Sequence, residues 1–193
     1  MAKGAKEVLW EARVFESLKE ALKESSLVVG TTGKRRRGIE LVPIREAVGE
    51  ILQVSETQKV SILFGREDSG LTNEELSLCH LNVFIPTDES HPSLNLSQAV
   101  AVILYELSTY GKNFEPLPKK LAPWEELMGL FEHLEQTLEA INFPDPKRAL
   151  GDLKEIIFRA KLDPREVRLL RGILRQIGWR IKNEGTGFED PKN

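Results

Sequence analysis

Three short apolar runs, each followed by a polar loop that contains glycine or proline, constrain the fold of this chain more than any other feature. The runs are SLVVGTTG (26–33), KVSILFG (59–65) and NVFIP (82–86). Runs of this length and composition are typical of strands buried on both faces. Pro43 suits the first turn of a helix that extends to about Gln53, and Thr72 with Glu75 predicts a helix that begins with a capping box. The alternation of strand and helix therefore predicts an α/β domain with a parallel sheet, covered by helices on both faces, over residues 1–112.

The segment before the first strand carries a helical pattern. Apolar side chains recur at helical spacing over residues 5–24, which predicts one amphipathic helix. Its apolar face consists of Val8, Leu9, Val14, Phe15, Leu18 and Leu22.

The composition changes after Gly111. Residues 112–123 carry three prolines, which indicates a linker over 113–122, and no strand candidate follows it. Residues 123–193 are therefore predicted to form an all-helical C-terminal extension that ends in a loose tail. Its predicted helices span 123–141, 147–160 and 164–184, and Asp163 is expected to cap the last of them.

Composition limits the classes of function. The chain has 193 residues, of which 40% are apolar and 30% charged, as in an ordinary globular protein. It shows no apolar run of the roughly 20 residues that span a bilayer, and its three histidines and single cysteine, Cys79, show no metal-ligand spacing. We therefore expect a cytoplasmic protein without a metal site, and a buried, unreactive Cys79. The net charge of −3 means that any nucleic-acid site must rest on local basic clusters.

The charge is unevenly shared between two of the predicted helices. The helix at 123–141 holds five glutamates and no lysine or arginine, whereas the helix at 164–184 is rich in arginine. One interpretation is that the two helices pack against each other with complementary surfaces. The other is that Arg168, Arg171 and Arg175, spaced three and four residues apart, form a stripe that contacts phosphates. The sequence leaves both interpretations open.

Three polar loops follow the three predicted strands. They are GTTGKRRRG, GREDSG and PTDESHPSLN. Since ligands of parallel α/β sheets bind beyond the carboxyl ends of the strands, these loops are expected to converge on one site. Neither G-x-G-x-x-G nor G-x-x-x-x-G-K-[ST] occurs, so a phosphate cradle is not predicted. The small and neutral polar residues suit a nucleoside base and ribose better than a triphosphate.

Long motifs around these loops resemble a known family. The stretches are VVGTTGKRR (28–36), LFGREDSGLTNEEL (63–76) and IPTDESHPSLNLSQAVAVILYEL (85–107). They resemble the knotted S-adenosylmethionine-dependent methyltransferases of the SPOUT superfamily, and most closely the TrmJ-like branch that methylates ribose 2′-hydroxyls of tRNA. The resemblance covers residues 3–110 and continues more loosely into the helical extension.

The resemblance implies a fold and a cofactor site. The segment from Ile85 to Asn95 would thread through a loop to form a deep trefoil knot at the C-terminal end of the α/β domain and would clasp the adenosyl group. Gly65 would allow backbone to approach the ligand closely. The residues implied to bind S-adenosylmethionine are Thr31, Thr32, Gly33, Gly65, Ile85, Ser93, Leu94 and Asn95.

The resemblance also implies catalytic and RNA-binding roles. Glu67, Ser93 and Asn95 would orient the ribose hydroxyl of a tRNA nucleotide, which the closest branch implies to lie in the anticodon loop. The basic run of Lys34, Arg35, Arg36 and Arg37 would contact RNA phosphates beside the same crevice, as would the arginine stripe. Family members pair through the region that matches residues 95–110, where Val100, Ile103, Leu104 and Leu107 lie, so a homodimer is expected.

One motif of the family has no match. Members carry an asparagine and a catalytic arginine in a pattern like N-I-G-x-x-x-R, which this sequence lacks. We therefore expect cofactor binding with slow or undetectable methyl transfer, and faster transfer by a longer form that supplies such a segment. The alternatives are a non-catalytic dimer that binds RNA or cofactor, and an α/β nucleotide-binding domain with another ligand.

Overall fold

Four parallel strands form one sheet in the order β2-β4-β1-β3. The computed structural model describes residues 6–34, 36, 38–88, 93–110 and 115–184. The strands are β1 (Leu27–Thr31), β2 (Val42–Pro43), β3 (Val60–Leu63) and β4 (Leu81–Phe84). The predicted parallel sheet is confirmed. The sequence did not reveal β2, because a two-residue strand that contains a proline lacks the run length from which strands are predicted.

Both faces of the sheet are covered, as expected for β1, whose residues 27–30 are all buried. Alternate residues of a strand point to opposite faces. Leu27 and Val29 pack with helices α3 (Ile44–Ser55) and α5 (Leu96–Thr109) on one face. Val28 packs on the other face with Leu22 and Cys79. Burial raises the pKa of the Cys79 thiol to about 12, so this residue is the inert, buried cysteine that was predicted.

The N-terminal prediction is wrong. Instead of one helix over 5–24, the described residues form α1 (Lys6–Trp10) and α2 (Leu18–Leu22). The Ser17 hydroxyl accepts a hydrogen bond from the Glu20 N–H at 3.2 Å, so it begins a new helix where one helix was expected to continue. Val8, Leu9 and Val14, assigned to the apolar face, are 71%, 71% and 99% exposed. Residue 5 lies outside the described residues.

The C-terminal region is helical, as predicted. Its helices are α6 (Trp124–Ala140), α7 (Pro146–Ala160) and α8 (Pro164–Glu184). Asp163 caps α8, because its Oδ1 accepts from the N–H groups of Arg165 and Glu166, both at 2.8 Å. The three helices share a core of Leu127, Leu130, Phe131, Leu138, Leu150, Ile157, Val167 and Leu174. The predicted tail lies outside the described residues.

The helical region is joined to the α/β part through buried contacts. The Trp124 indole N–H donates to the Leu78 carbonyl at 2.9 Å, and the side chain is only 2% exposed. The Leu121 N–H donates to the Gln58 side chain at 2.7 Å. The last residues of the expected linker, Leu121 and Ala122, are therefore part of the core. The separation of the chain into domains at 1–112 and 123–193 stays a prediction.

The contact between the α/β part and the helical region includes His80, which makes the stability of the protein depend on pH. Its Nδ1 accepts from the Val28 N–H at 3.0 Å, its ring packs against Phe158, and its buried Nε2 has no hydrogen-bond partner among the described residues. Burial lowers the pKa of His80 to about 4, whereas the unfolded chain titrates at its ordinary value of 6.5. The neutral ring therefore contributes stability above pH 6.5, which is lost as the pH falls toward 4.

We expect this loss to be measurable by urea unfolding. Between pH 7 and pH 5, His80 should account for about 2 kcal/mol of lost unfolding free energy. His80→Asn retains an acceptor for the Val28 N–H but does not titrate in this range. Between pH 7 and pH 5, this variant should therefore lose about 2 kcal/mol less unfolding free energy than the wild-type protein. Equal losses in the two proteins would mean that folding does not lower the pKa of His80.

Candidate active site

The three loops converge at the carboxyl ends of β1, β3 and β4, where they surround one cavity. The floor of the cavity includes the apolar side chains of Val83, Phe84 and Ile103. Of the residues assigned to cofactor or catalysis, Thr31, Thr32, Gly33, Gly65, Glu67, Ile85, Ser93 and Leu94 line it. The convergence expected from the order of strands and helices is thus present.

The first loop is fixed to its neighbours through its threonines. The Thr31 hydroxyl donates to the Leu63 carbonyl at 2.8 Å, and the Thr32 N–H donates to the Val83 carbonyl at 3.0 Å. The Thr32 hydroxyl also accepts from the Lys34 N–H at 3.2 Å. These bonds hold the ends of three strands together and fix the start of the first loop, from Thr31 to Lys34, through contacts within the protein.

The second loop closes on itself between Arg66 and Gly70. Their backbone groups exchange hydrogen bonds of 3.3 and 2.8 Å. The Arg66 guanidinium binds both carboxylate oxygens of Glu75 at 3.2 and 3.0 Å. The pKa of Glu75 is lowered by Arg66 first and then by the Thr72 N–H, which belongs to the predicted capping box, confirmed here. The loop is therefore braced against the start of helix α4 (Asn73–Leu76).

Gly65 is required by the backbone of its own loop. A Cβ atom at this position would overlap the backbone of Gly70 and Leu71. The sequence interpretation gave a different reason, namely close approach of the ligand. The structure thus supplies an intramolecular cause for this glycine, and any larger side chain must displace the second loop.

A hydrogen bond joins the second loop to the third. The Asn95 side-chain N–H donates to Glu67 Oε1 at 2.7 Å, while Asn95 Oδ1 accepts from the backbone N–H and the hydroxyl of Ser97 at 2.9 and 2.7 Å. Asn95 therefore caps α5 and holds the Glu67 carboxylate with the same amide. The polar residues at the start of this otherwise apolar helix therefore have two roles, because they cap α5 and bind the second loop. Residues 93–98 are all exposed, so none of these polar groups is buried without a partner.

The basic run beside the cavity is only partly described, since Arg35 and Arg37 lie outside the described residues. Lys34 is exposed and lines the cavity. Arg36 also lines it, but its guanidinium donates to the Leu71 carbonyl at 3.2 Å and to the Asn73 side chain at 3.4 Å. Arg36 thus bridges the first loop to the second, a role that the sequence did not reveal because the two segments are far apart in the chain.

The arginine stripe lies on α8 and does not line this cavity. Arg171 is half-buried against α6, where a Cβ at Gly129 would lie 3.2 Å from its guanidinium. Arg168 and Arg175 are exposed. The pKa of His133 on α6 is lowered by burial and then by Arg171 and Arg175. Packing of the acidic helix on the basic helix is confirmed, and phosphate contact stays a prediction.

The cavity fits S-adenosylmethionine by its chemistry. Apolar residues of the floor suit an adenine ring, and the carboxylates of Glu67 and Asp68 on the same wall suit a cation. Within the described ranges, no three acidic, histidine or cysteine side chains are grouped so that they could bind a metal ion. None of the described helices is both long and apolar enough to span a membrane.

Comparisons with known proteins agree with this arrangement. Residues 1–105 match the model of the SpoU rRNA Methylase family, and residues 125–186 match that of the tRNA methyltransferase TrmJ, C-terminal domain. The tRNA (cytidine/uridine/adenosine-2'-O-)-methyltransferase TrmJ of Pseudomonas aeruginosa is 39% identical over 191 residues, which cover 90% of this chain and 74% of that protein. The tRNA (cytidine/uridine-2'-O-)-methyltransferase TrmJ of Escherichia coli is 36% identical over 201 residues, covering 98% and 80%.

A solved structure is similar as well. The crystal structure of TrmJ from Z. mobilis superimposes with a TM-score of 0.75 at 33% identity, covering 92% of this chain and 78% of that one. The fold resemblance and the sequence resemblance therefore concern the same proteins, and the resemblance to SPOUT methyltransferases is confirmed. The chain belongs to the SpoU methylase family, with a helical region that matches the C-terminal domain of TrmJ.

Proposed function

We propose that the protein transfers a methyl group from S-adenosylmethionine to a ribose 2′-hydroxyl of tRNA, in the anticodon loop. The observation that carries the proposal is the Glu67 carboxylate, held by Asn95 at 2.7 Å beside a cavity formed by three loops of a SpoU-family chain. The relatives named TrmJ support tRNA as the substrate. This substrate implies a cytoplasmic protein.

Seven of the eight residues that we propose for the cofactor line the cavity, and the eighth, Asn95, donates a hydrogen bond to Glu67, which also lines it. We assign S-adenosylmethionine binding to Thr31, Thr32, Gly33, Gly65, Ile85, Ser93, Leu94 and Asn95. The first loop, with its threonine hydroxyls already bonded, offers mainly backbone groups to the ligand. The segment from Ile85 to Asn95 is the part assigned to the trefoil knot, and four of its residues, 89–92, lie outside the described ones.

The catalytic roles follow from charge and position. Bound S-adenosylmethionine supplies a methyl group on a positively charged sulfur. An in-line displacement needs the ribose oxygen to be aligned and its proton to be accepted. Glu67 is the proton acceptor that we assign, Asn95 fixes its orientation, and Ser93 contacts the hydroxyl from the same cavity.

The direct test is transfer of labelled methyl from S-adenosylmethionine to unmodified tRNA, followed by digestion to nucleosides and mass spectrometry. We expect 2′-O-methylated nucleosides. The rate should be low, by roughly 10²- to 10⁴-fold, because no segment matches the family's arginine motif; a longer form that supplies the motif should be faster. Methylation of a base would contradict the proposal. Binding without transfer in both forms would favour a non-catalytic RNA- or cofactor-binding dimer, the alternative that the missing motif suggests.

The proposed RNA surface comprises the basic run from Lys34 to Arg37 and the arginine stripe. The expected salt dependence tests the stripe. For the exposed pair, Arg168→Gln with Arg175→Gln should reduce the slope of log affinity for tRNA against log salt by about 1.4 to 1.8, because each lost phosphate contact removes about 0.7 to 0.9.

A charge-matched control distinguishes local contacts from net charge. Lys147 and Arg148 are exposed on α7, so Lys147→Gln with Arg148→Gln makes the same change in net charge. It should change the slope less. An equal effect of the two pairs would show that the arginines act only through the overall charge.

We also propose a homodimer that pairs through α5. Ile103, expected at the interface, is only 1% exposed because it packs on the sheet, and Leu107 packs against the same core. Leu104 and Tyr105 remain 56% and 64% exposed on the outer face. Light scattering should therefore report twice the chain mass of 21.8 kDa, and Leu104→Glu should halve it. A monomeric mass at micromolar protein concentration would contradict the proposed homodimer.

A further inference from the structure

An exposed tryptophan continues the basic side of α8. Arg168, Gly172, Arg175, Trp179 and Lys182 follow one another at spacings of four, three, four and three residues. On an α-helix this spacing places them in one line along the axis. We call these five residues the basic–aromatic line. Trp179 was not among the residues assigned to RNA from the sequence.

The tryptophan of this line is not explained by packing. The Trp179 side chain is 56% exposed, whereas the core of the helical region takes Val167 and Leu174 from another side of α8. The nearest cations along the line, Arg175 and Lys182, are also exposed. Large aromatic side chains favour burial or a stacking partner, so an indole between two exposed cations suggests a flat, anionic ligand.

Gly172 lies on the same line. It lies in the middle of α8, where glycine costs about 1 kcal/mol relative to alanine, and a Cβ at this position would meet no atom of the described residues within 4 Å. No neighbouring side chain therefore requires a glycine here. Its effect is a shallow gap between Arg168 and Arg175 at which a ligand can approach the helix backbone closely.

We propose that the basic–aromatic line binds an unpaired segment of the RNA substrate. Trp179 stacks on an unpaired base, Arg175 and Lys182 contact the phosphates on either side of it, and Gly172 gives the sugar–phosphate chain room against the helix. Stacking requires a base that is not already stacked in a duplex, so the line selects loops or single-stranded ends. The inference rests on the proposed function, because it names how the same RNA is recognised.

A neighbouring side of the same helix provides a matched control. Leu169 and Ile173 are 64% and 50% exposed but lie four residues apart on a different line, away from Arg175. They are apolar without being aromatic. If exposed apolar surface alone bound RNA, Ile173→Ala would weaken binding as Trp179→Leu does.

Tryptophan fluorescence tests the stacking directly. The chain has three tryptophans, of which Trp124 is buried. In a Trp10→Phe background, unmodified tRNA or a short oligouridylate should quench the emission of Trp179. The quenching should disappear when Trp179→Phe is added, since buried Trp124 is the remaining fluorophore. Persistent quenching in the double variant would contradict the assignment.

Affinity and salt dependence separate stacking from charge. Trp179→Leu should weaken binding of unmodified tRNA by roughly 5- to 150-fold at constant salt while leaving the salt slope unchanged, because a stacked indole carries no charge. Trp179→Phe should retain most of the affinity. Arg175→Gln should instead reduce the slope by about 0.7 to 0.9. Circular dichroism melts check that each variant is folded.

The outcomes distinguish this inference from the proposed function. If the wild-type chain binds tRNA and Trp179→Leu binds it equally, without quenching by RNA, the inference is wrong and the proposed function stands. If Trp179→Leu and Trp179→Phe weaken binding equally, the effect is structural and stacking is excluded. If the wild-type chain binds no tRNA, both proposals fall.

Discussion

Replacing Gly65 with valine is expected to weaken S-adenosylmethionine binding by roughly 100-fold or more. The reason is steric, because a Cβ at this position overlaps the backbone of Gly70 and Leu71. Valine must therefore push the second loop away from β3, and that loop carries Glu67 and one wall of the cavity. Titration calorimetry with S-adenosylmethionine measures the loss.

A second glycine provides the control variant for the general effect of replacing glycine with valine. Gly151 lies on the exposed side of α7, where an added Cβ would meet none of the described residues within 4 Å, so Gly151→Val should bind the cofactor normally. Circular dichroism should show that Gly65→Val keeps its helices, because the hydrophobic cores beneath α3 and within the helical region are built from residues outside the second loop. Normal binding by Gly65→Val would show that the shape of this loop does not define the cofactor site.

Replacing Asn95 with serine or alanine is expected to reduce methyl transfer by about 100-fold or more in any form of the protein that shows transfer. Both substitutions remove the amide that donates to Glu67 Oε1 at 2.7 Å. The two variants differ in the cap of α5: serine can still accept from the helix N–H groups, whereas alanine loses the cap and about 1 kcal/mol of stability.

Comparison of the two variants separates catalysis from stability. Equal kinetic losses with different unfolding free energies would assign the effect to the contact with Glu67. Ser97→Ala serves as the control, because it removes the 2.7 Å hydroxyl bond to Asn95 Oδ1 and leaves the bond to Glu67 in place. A normal transfer rate in Asn95→Ser would exclude Asn95 as the residue that orients Glu67.

The sequence predicted those elements whose signals are local. The strand around Val28 is surrounded on both faces and therefore consists of a continuous apolar run, and the Asp163 and Thr72 caps use residues within three positions of each other. The prediction of one helix over 5–24 was wrong because it rested on periodicity alone. Periodicity indicates which residues share a face, but not whether another part of the protein covers that face. Ser17 supplied a competing local signal, a cap, that divides the segment.

The candidate site was predictable in position but not in its bonds. Parallel topology alone brings three loops to one edge of the sheet, so residues as distant as Thr31 and Ser93 were placed together. The bond between Glu67 and Asn95 joins residues 28 positions apart, and the Arg36 bridge to Leu71 joins residues 35 apart. Such pairs depend on how the loops fold in three dimensions. The family resemblance nominated Glu67 and Asn95 individually without indicating that they contact each other.

The cavity between the three loops is assigned here to S-adenosylmethionine. Titration calorimetry of the 193-residue chain with S-adenosylmethionine, with its demethylated product and with ATP tests this directly. We predict saturable binding of S-adenosylmethionine and of the product, and no comparable affinity for ATP, because the loops lack a phosphate cradle and the carboxylates of Glu67 and Asp68 line the same cavity. ATP binding as tight as that of S-adenosylmethionine, or no binding of S-adenosylmethionine, would contradict the assignment of the site.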